Sequence, residues 1–401
     1  MKIIFVSATC SPKQYKSICR KRKIPMLDSS QKFFDMFLKG LSNQKDLQIE
    51  CISVPPVSHG TYPGWRVKEY QEVGENITYH SVGLINYPIL KSITAQCAVK
   101  SKLNSLIKTS EDETVLVADP LLLEGAVPVI KMGNKYKKKT IGFLTDLPDF
   151  ADECDEHGFL KQIFYRVYNK KCNQYLRRFE QYVFLTEAMN DAVNSEKKPW
   201  MLMECLVDGT CKTNELVEKR DGSPTILYAG KLHKQFGMDI LVETTTKVKT
   251  DCEFHIYGDG NYREELEKRS SMQNNICMHG IIPVDEVVKE EMKSTILINP
   301  RTSHGEFTRY SFPSKTAEYM LSGVPVIMFK LPGIPKEYDE YLYYAEEESA
   351  ESLAKKIDEI LGLATEKLTD KGKKAQEFIL KEKNNTKQAC KFVEFCINTG
   401  K

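Results

Sequence analysis

Two lysines lie in a loop of the second half of the chain where they would suit a bound diphosphate. Lys231 and Lys234 belong to YAGKLHKQFGMDIL (228–241), between a strand-like run and a helix that Gly237 opens. The orphan backbone N–H groups and the dipole of a helix N-terminus attract anions, and two ammonium groups add to that attraction. The pattern predicts a pyrophosphate site, with a solvated lysine pair on a loop as the alternative.

A second pattern places an acid one turn inside a helix, in SHGEFTRYSFPSKTAEYMLSGVPVI (303–327). Pro313 suits the first helical turn, and Ser311 or Ser314 would cap the helix or donate to a phosphate. Glu318 follows at a position where a carboxylate can accept two hydrogen bonds from a ribose diol. The alternative is an acid that only complements the helix dipole, for ~0.3–1 kcal/mol.

Glycines mark a third loop of the same half. Gly258 and Gly260 lie in IYGDGNYREEL (256–266), which has the pattern of a tight turn from a strand into a helix. Alone, this segment is also consistent with an ordinary turn. Because the three loops follow strand-like runs in this order, together they predict a nucleotide site.

Three aspartates follow strand-like runs in the first half. Asp119 ends TVLVAD, and Asp146 and Asp149 both lie in FLTDLPDFADE (143–153). Carboxylates at strand ends can accept hydrogen bonds from substrate hydroxyls, so we predict that all three act on a substrate, with helix capping as the alternative. The seven histidines show no ligand spacing, and no metal site is predicted.

Short apolar runs alternate with helical patterns along the chain. The predicted strands are 2–7, 47–54, 114–119, 140–146 and 182–186 in the first half, and 225–230, 254–258, 276–280, 296–300 and 324–328 in the second. Near-continuous apolar strands separated by helices indicate parallel sheets covered on both faces. The predicted fold class is α/β, with two doubly wound, Rossmann-like domains facing a cleft.

A polar, irregular stretch over 195–223 separates the two sets of strands. We predict an N-terminal domain over 1–200, a nucleotide-binding C-terminal domain over 201–382, and a C-terminal helix over 383–401. Packing of that helix back on the N-terminal domain is one option. The charged tail has the periodicity of two amphipathic helices.

Charge is unevenly distributed between the halves. Residues 1–200 carry 29 Lys and Arg against 22 Asp and Glu, and the remainder carries 28 against 33. One basic run spans 13–23, and a second segment, 159–179, interleaves basic with apolar side chains at a helical period. We expect both to meet an anionic membrane surface. The alternative for the second is a core-facing helix with a solvated basic back, and no nucleic-acid motif is present.

The expected location is cytoplasmic, and peripheral on the inner face of the plasma membrane. No apolar run approaches the length that spans a membrane, and the N-terminus lacks a signal-peptide pattern. The twelve cysteines include no CxxC pair, which fits reduced thiols better than a disulfide framework.

Several motifs of the second half resemble the donor half of GT-B glycosyltransferases. They are YAGKL…FG, IYGDG, NICMHGIIP, ILINP and FPSKTAEYMLSGVPVI, within 223–345. In particular, they resemble the retaining, UDP-sugar-using glycosyltransferase family 4, which includes many bacterial polysaccharide transferases. It implies a GT-B fold and a site for a UDP-sugar.

The resemblance assigns roles to particular residues. Gly230 and Lys231 match the family's diphosphate-binding Gly-Arg-Leu motif, while the family's later lysine falls at a phenylalanine, so that Lys234 must substitute for it. Glu318 matches the second glutamate of the Glu-x7-Glu motif, which holds the ribose. Tyr310 stands where the first glutamate is expected, and Glu306 is too far upstream to match by spacing.

The implied activity is transfer of a sugar from a UDP-sugar to a polyprenyl-diphosphate-linked or other saccharide acceptor. The implied stereochemistry is retaining, and we expect neither a metal nor another cofactor, since no DxD motif is visible. The alternatives are a UDP-sugar 2-epimerase of the same fold and a non-catalytic partner subunit that binds a nucleotide sugar, which the tyrosine at 310 keeps open.

Overall fold

The computed structural model describes residues 1–22, 29–110, 113–150, 159–210 and 222–398. The chain divides into two compact units, Met1–Leu206 with Asn385–Lys401, and Val207–Asn384. The divisions after residues 206 and 384 lie close to the positions 200 and 382 that the sequence suggests. The last helix belongs to the first unit.

The first unit contains an eight-stranded sheet in the order β10-β9-β8-β7-β1-β2-β5-β4 and a two-stranded ladder of β3 with β6. Its strands are β1 (Lys2–Ser7), β2 (Gln48–Ser53), β3 (Arg66–Val67), β4 (Tyr70–Val73), β5 (Ile77–Ser81), β6 (Leu84–Ile85), β7 (Thr114–Ala118), β8 (Thr140–Leu144), β9 (Gln181–Phe184) and β10 (Trp200–Leu202). Its helices are α1 (Pro12–Lys21), α2 (Ser29–Ser42), α3 (Leu90–Lys108), α4 (Leu123–Tyr136), α5 (Phe159–Leu176), α6 (Glu187–Val193) and α13 (Asn385–Asn398). All neighbours in the large sheet are parallel except β4 and β5.

The core of the first unit is aromatic and includes side chains of α13. Every residue of β1, β7 and β8 is buried, as expected for strands covered on both faces. Phe37 of α2 lies 4.9 Å from the ring of Phe143 and 5.1 Å from that of Phe392 on α13. The Asn385 side-chain amide donates to the Met36 carbonyl at 3.3 Å, so α13 is fixed against α2 by both packing and a hydrogen bond.

The second unit is a six-stranded parallel sheet in the order β13-β12-β11-β14-β15-β16. Its strands are β11 (Thr225–Ala229), β12 (Glu253–Tyr257), β13 (Ile276–Gly280), β14 (Ile296–Asn299), β15 (Val326–Phe329) and β16 (Tyr343–Ala345). Its helices are α7 (Met238–Thr245), α8 (Arg263–Ser270), α9 (Val284–Lys293), α10 (Ser314–Leu321), α11 (Ala350–Leu361) and α12 (Thr365–Glu382). Short 3-10 turns lie at Lys234–Phe236, Glu306–Arg309 and Lys336–Tyr338.

Both sheets have the strand order of a dinucleotide-binding fold. In the second unit the order, counted from its own first strand, is 3-2-1-4-5-6, and the switch point lies between β11 and β14. In the first unit the corresponding switch point lies between β1 and β7. The carboxyl ends of these four strands are where such sheets bind ligands.

The predicted α/β class with two Rossmann-like domains is confirmed. All ten predicted strands are present within about two residues, a tolerance usual for assigned boundaries. The charged tail forms α12 and α13. Among the described residues, no helix has the length and apolar character needed to cross a membrane.

Candidate functional site

The loops after β11 and β12 touch through their backbones at two glycines. Gly258 has φ +130°, and a Cβ atom there would lie 1.8 Å from the Gly230 carbonyl oxygen. The Gly230 amide also donates to the Tyr257 carbonyl at 3.0 Å. Because any side chain at 258 would clash with backbone, only glycine lets the two loops approach this closely.

The loop after β14 closes against the beginning of α7. Gly237, which precedes α7, has φ +79°, and a Cβ atom there would lie 1.9 Å from the Pro300 carbonyl oxygen. No side chain of the described residues caps α7. Its first N–H groups are therefore next to both strands of the switch point, as the sequence predicts for a diphosphate site.

The two predicted phosphate-binding lysines differ in their surroundings. Lys231 is exposed, and its ammonium makes no hydrogen bond or ion pair with any residue that the structure describes, while its carbonyl accepts from the Tyr228 hydroxyl at 2.9 Å. Lys234 is 75% exposed, and its Nζ lies 3.7 Å from Asp239 Oδ2. The hydrogen bond from Tyr228 fixes the backbone of Lys231 and leaves its side chain available to a ligand, whereas the Lys234 side chain forms an ion pair with Asp239.

A third cation, Arg301, lies two residues after the end of β14 and was not predicted. Its Nη2 donates to Ser311 Oγ at 2.9 Å. Its guanidinium carbon lies 4.9 Å from the centroid of Phe307 and 5.8 Å from that of Phe236. Phe236 belongs to the loop after β11, so Arg301 bridges the loops that flank the switch point. Its position immediately after the strand-like run ILINP is the sequence feature from which this cation could have been predicted as part of the site.

The prediction that a serine caps α10 is wrong. Pro313 is the N-cap residue and provides no side-chain acceptor, because its side chain is a hydrocarbon ring. Ser314 is already the first helical residue and is exposed, and the Ser311 hydroxyl accepts from Arg301 instead. Donation from either hydroxyl to a phosphate remains a prediction.

Helix α10 is fixed to β11 by Tyr319. The buried Tyr319 hydroxyl accepts from the Ala229 amide at 2.8 Å and donates to the Ala229 carbonyl at 3.2 Å. Glu318 precedes this residue on the exposed side, and its Oε2 lies 2.7 Å from Lys315 Nζ. The Glu318 carboxylate is 49% exposed, so one oxygen is paired with a lysine at a solvent-accessible position.

A second carboxyl group, Glu291 of α9, is near this ion pair and was not predicted from the sequence. Glu291 is buried, and burial raises its pKa to about 7, while the positive charge of Lys315 opposes that rise and the negative charge of Glu318 adds to it. The three groups are therefore electrostatically coupled.

Tyr310 occupies the position where the resemblance implies a glutamate. Its side chain is 9% exposed, and its hydroxyl oxygen lies 3.5 Å from Glu306 Oε1, at the outer limit of a hydrogen bond. The short helix Glu306–Arg309 produces this approach, which residue spacing alone did not reveal.

In the first unit, the carboxyl ends of β7 and β8 bring Asp119 and Asp146 close enough to interact. Burial raises the pKa of Asp119 to about 7, and the charge of Asp146 contributes to the rise. Asp119 Oδ1 accepts from the Leu121 amide at 2.9 Å, and Asp146 Oδ1 accepts from the Leu147 amide at 3.0 Å. Each carboxylate therefore organises its own loop with one oxygen.

Asp149, the third predicted aspartate, contacts a different element, helix α5. It is exposed, and its Oδ2 accepts from the Asn173 side chain of α5 at 3.0 Å. That bond connects the loop to α5. Residues 151–153 of the predicted segment lie outside the described residues.

Helix α5 only partly fits the expected membrane-binding pattern. Tyr168 packs with Leu123 and Val127 of α4, and its hydroxyl donates to the Leu121 carbonyl at 3.1 Å. Tyr168, one of the apolar residues of the 159–179 segment, therefore packs against α4, as the core-facing alternative predicts for this residue. Val167 is 52% exposed. The side chains of Lys161 and Phe164 are outside the description.

The end of the basic helix α1 and the start of α3, which exposes apolar side chains, both contact the loop at Pro56 and Val57. Arg22 donates to the Pro56 carbonyl at 2.9 Å, and Lys91 of α3 donates to the Val57 carbonyl at 2.6 Å. Helix α1 exposes Lys13, Lys16, Arg20 and Lys21. Large exposed apolar side chains at or just before the start of α3 are Tyr87, Ile89, Leu90 and Ile93. Lys23, the last residue of the basic run, is outside the described residues.

The two Rossmann-ordered sheets, with a glycine-lined switch point in the second, define a two-domain α/β protein of the GT-B fold class. Residues 223–362 match the family model described as Glycosyl transferases group 1. That segment contains every residue of the second-unit site described above.

Solved structures share this fold over nearly their whole length. One is described as trehalose-6-phosphate from E. coli bound with UDP-2-fluoro glucose (TM-score 0.66, 10% identity, 99% of each chain covered). Another is the lipopolysaccharide outer core galactosyltransferase WaaB in its apo form (0.61, 14%, 98% of this chain and 99% of that chain). A third is HepE of Anabaena in complex with UDP (0.61, 12%, 98% and 100%). The search of curated proteins found no match.

Proposed function

We propose that the protein is a glycosyltransferase that takes its sugar from a UDP-sugar. The observation that carries the proposal is the arrangement at the β11/β14 switch point. There the start of α7, the carboxylate of Glu318 and the Lys231 ammonium, which has no partner among the residues that the structure describes, follow adjacent strands. The match of 223–362 to a glycosyl transferase family and the UDP ligands of two proteins with this fold support the same donor.

The donor nucleotide is bound by charge at one end and by hydrogen bonds at the other. Lys231 and the first N–H groups of α7 neutralise the diphosphate, and Gly230 and Gly258 keep the loop backbones close enough to approach it. Lys234 assists if the diphosphate displaces Asp239 from it. Glu318 accepts from the ribose hydroxyls, exchanging one contact with Lys315 for bonds to the ligand.

Arg301 positions the phosphate-side loops in this proposal. Its guanidinium holds Ser311 while stacking on two phenylalanines, which limits its own freedom and that of the loop before α10. Ser311 and Ser314 then present hydroxyls towards the phosphate end. Glu306 replaces the missing first glutamate, because the Tyr310 hydroxyl lies within 3.5 Å of its carboxylate.

The acceptor saccharide is bound by Asp119, Asp146 and Asp149. With a pKa of about 7, the Asp119 carboxyl is partly protonated near neutrality and can either donate to or accept from an acceptor hydroxyl. The reaction is retaining and independent of metal: the departing UDP phosphate accepts the proton of the attacking hydroxyl on the same face of the sugar. No strong base is then required.

The acceptor is lipid-linked, and the protein is cytoplasmic and peripheral on the inner face of the plasma membrane. The exposed lysines of α1 attract anionic headgroups, and the exposed side chains Ile89 and Ile93 beside them supply apolar area. Ile89 also has φ +68°, which is an unfavourable backbone conformation for a β-branched residue. Such strained residues cluster at functional sites, which is consistent with a role for the exposed Ile89 side chain in membrane binding. The pathway class is surface-polysaccharide biosynthesis.

A panel of UDP-sugars, with release of UDP and analysis of the sugar product, tests the activity. A transferase releases UDP slowly with one or a few sugars and faster once a matching acceptor is present. Conversion of the sugar to its 2-epimer would replace the proposal by an epimerase. Saturable UDP binding without turnover for any sugar would indicate a non-catalytic binding subunit.

Co-sedimentation with liposomes of anionic lipid tests the membrane contact. Bound protein should decrease as salt rises, because exposed charges are screened within a Debye length of ~8–10 Å near physiological salt. The double variant Lys13→Ser/Lys16→Ser should bind less, and Ile89→Ser should lower binding at every salt concentration. Binding that salt does not change, or no binding, contradicts the proposal.

A further inference from the structure

We propose that the second unit binds one transition-metal ion, preferably Zn²⁺, at Glu253, His255 and Cys277. A carboxylate oxygen, an imidazole nitrogen and a thiol sulfur from these residues all lie within 4.8 Å of one another. The cluster is separate from the candidate nucleotide site, because Glu253 begins β12 whereas Gly258, on the nucleotide side, follows the end of that strand.

The parallel pairing of β12 with β13 brings the three residues together. His255 is the register partner of Cys277, so their side chains lie on the same face of adjacent strands. Glu253 is two residues before His255 and therefore points to that face as well. The sequence shows no metal motif, because the ligands come from two strands that are 22 residues apart in register.

Two of the three ligand atoms are already close to the spacing that a bound ion requires. Glu253 Oε2 and His255 Nε2 are 3.1 Å apart, whereas neighbouring ligands of a tetrahedral zinc ion are separated by about 3.4 Å at bond lengths of ~2.0–2.3 Å. The third ligand atom, Cys277 Sγ, lies within 4.8 Å of both, so binding requires rotation of the Cys277 and Glu253 side chains towards a common centre. His255 is nearly buried at 8% exposure and Glu253 is 48% exposed, so an ion reaches the site from the glutamate side.

The donor set selects the class of metal. One thiolate, one imidazole and one carboxylate suit Zn²⁺ or a neighbouring first-row ion, while Mg²⁺ and Ca²⁺ prefer oxygen ligands only. Three protein ligands leave the fourth position to water. On binding, the metal–sulfur bond replaces the S–H bond of Cys277, and the proton passes to solvent.

His279 supports the site as an outer residue. Its Nε2 lies 3.0 Å from His255 Nδ1, and its ring stacks on Tyr257 at 4.3 Å between centroids. With the metal on His255 Nε2, the Nδ1–H group donates to His279, an arrangement that fixes the tautomer and orientation of a metal-binding histidine. The structure already places both rings for this bond.

Cobalt absorption provides a direct test on the full-length chain. After treatment with a chelator, titration with Co²⁺ should give one equivalent of bound ion with a sulfur-to-cobalt charge-transfer band, and Zn²⁺ should displace it. Zn²⁺ should also raise the melting temperature, since it binds only the folded site. Cys277→Ser should remove the band, and Cys390→Ser, at an exposed cysteine of the first unit, should leave it intact.

His279→Gln gives an independent readout if the ligand variants fold poorly. It keeps the three ligands and should weaken Zn²⁺ binding about 10- to 100-fold, with the charge-transfer band retained at saturating Co²⁺. Circular dichroism confirms folding of each variant. Absence of the band in the folded wild-type chain overturns the proposal, as does a band that persists in folded Cys277→Ser.

Discussion

Replacing Glu318 by alanine separates the ribose-binding role of this residue from a purely structural one. The carboxylate forms an ion pair with Lys315 at 2.7 Å on α10, with the acid 49% exposed. Helix α11 carries a pair of the same spacing and length, Lys356 with Glu359, also at 2.7 Å. Glu359→Ala is therefore a matched control that removes an equivalent contact away from the candidate site.

The expected magnitudes differ for the two roles. Loss of an exposed i,i+3 ion pair costs ~0.2–0.5 kcal/mol of unfolding free energy, so both variants should melt only slightly earlier. Loss of charged hydrogen bonds to the ribose costs ~1.5–3 kcal/mol of binding free energy. At ~1.4 kcal/mol per decade, Glu318→Ala should weaken UDP binding roughly tenfold to a hundredfold, and Glu359→Ala should leave it unchanged.

Calorimetric titration with UDP and with uridine, beside thermal melts, measures both quantities. Glu318→Ala should weaken the two ligands similarly, because both contain the ribose. Lys231→Ala should weaken UDP much more than uridine, since its ammonium is assigned to the diphosphate. Equal UDP affinity in Glu318→Ala and Glu359→Ala, with equal loss of stability, would refute the ribose assignment.

Three further predictions concern the glycine contact, a buried acid and the aspartate loop. Gly258→Ala should cost ~2–5 kcal/mol of unfolding free energy and impair UDP binding, because it adds both backbone strain and a clash with the Gly230 carbonyl. Gly280→Ala is the control: its φ is +66° but no atom lies near the added Cβ, so it should cost only ~1–2 kcal/mol. Burial raises the Glu291 pKa to about 7, so the stability of the fold decreases as the pH rises from about 4.5 to about 7. Glu291→Gln should therefore increase the unfolding free energy, measured by chemical denaturation, by ~1–3 kcal/mol at pH 8 and by much less at pH 5. An equal increase at both pH values would contradict this reasoning. Asp146→Asn and Asp149→Asn should lower the rate of sugar transfer in turnover assays and leave UDP affinity unchanged in titrations. If UDP affinity falls together with the transfer rate, the loop does not act on the acceptor.

Short apolar runs predicted the two sheets because most residues of the central strands are buried. The runs KIIFVS and TVLVAD are apolar except at their first and last residues, and they form β1 and β7 on either side of the first switch point. The missed strands carry a weaker signal. In β5 the polar residues Thr78 and His80 interrupt the apolar run, and the strand pairs with an antiparallel edge strand; β10 and β16 are three-residue edge strands.

The candidate site was only partly accessible from the sequence. Gly258 and Lys231 could be located because they directly follow strands, where parallel sheets bind ligands. The coupling of Glu291 with Lys315 could not, because α9 and α10 are brought together by crossovers of the sheet rather than by spacing along the chain. The approach of Glu306 to Tyr310 depends on a single 3-10 turn, which has no reliable sequence pattern.

The return of α13 to the first unit fixes the order in which synthesis can complete the two cores. Phe392 and Ala389 are fully buried with Phe37 and Phe143, so the core of the first unit lacks part of its packing until α13 has left the ribosome. The second unit, Val207–Asn384, is contiguous and has all its core residues before that point. The unit whose synthesis begins first therefore completes its core after the second unit has been made. A nascent chain that has reached Asn384 still exposes the aromatic surface of α2, while all residues of its nucleotide-side unit are present.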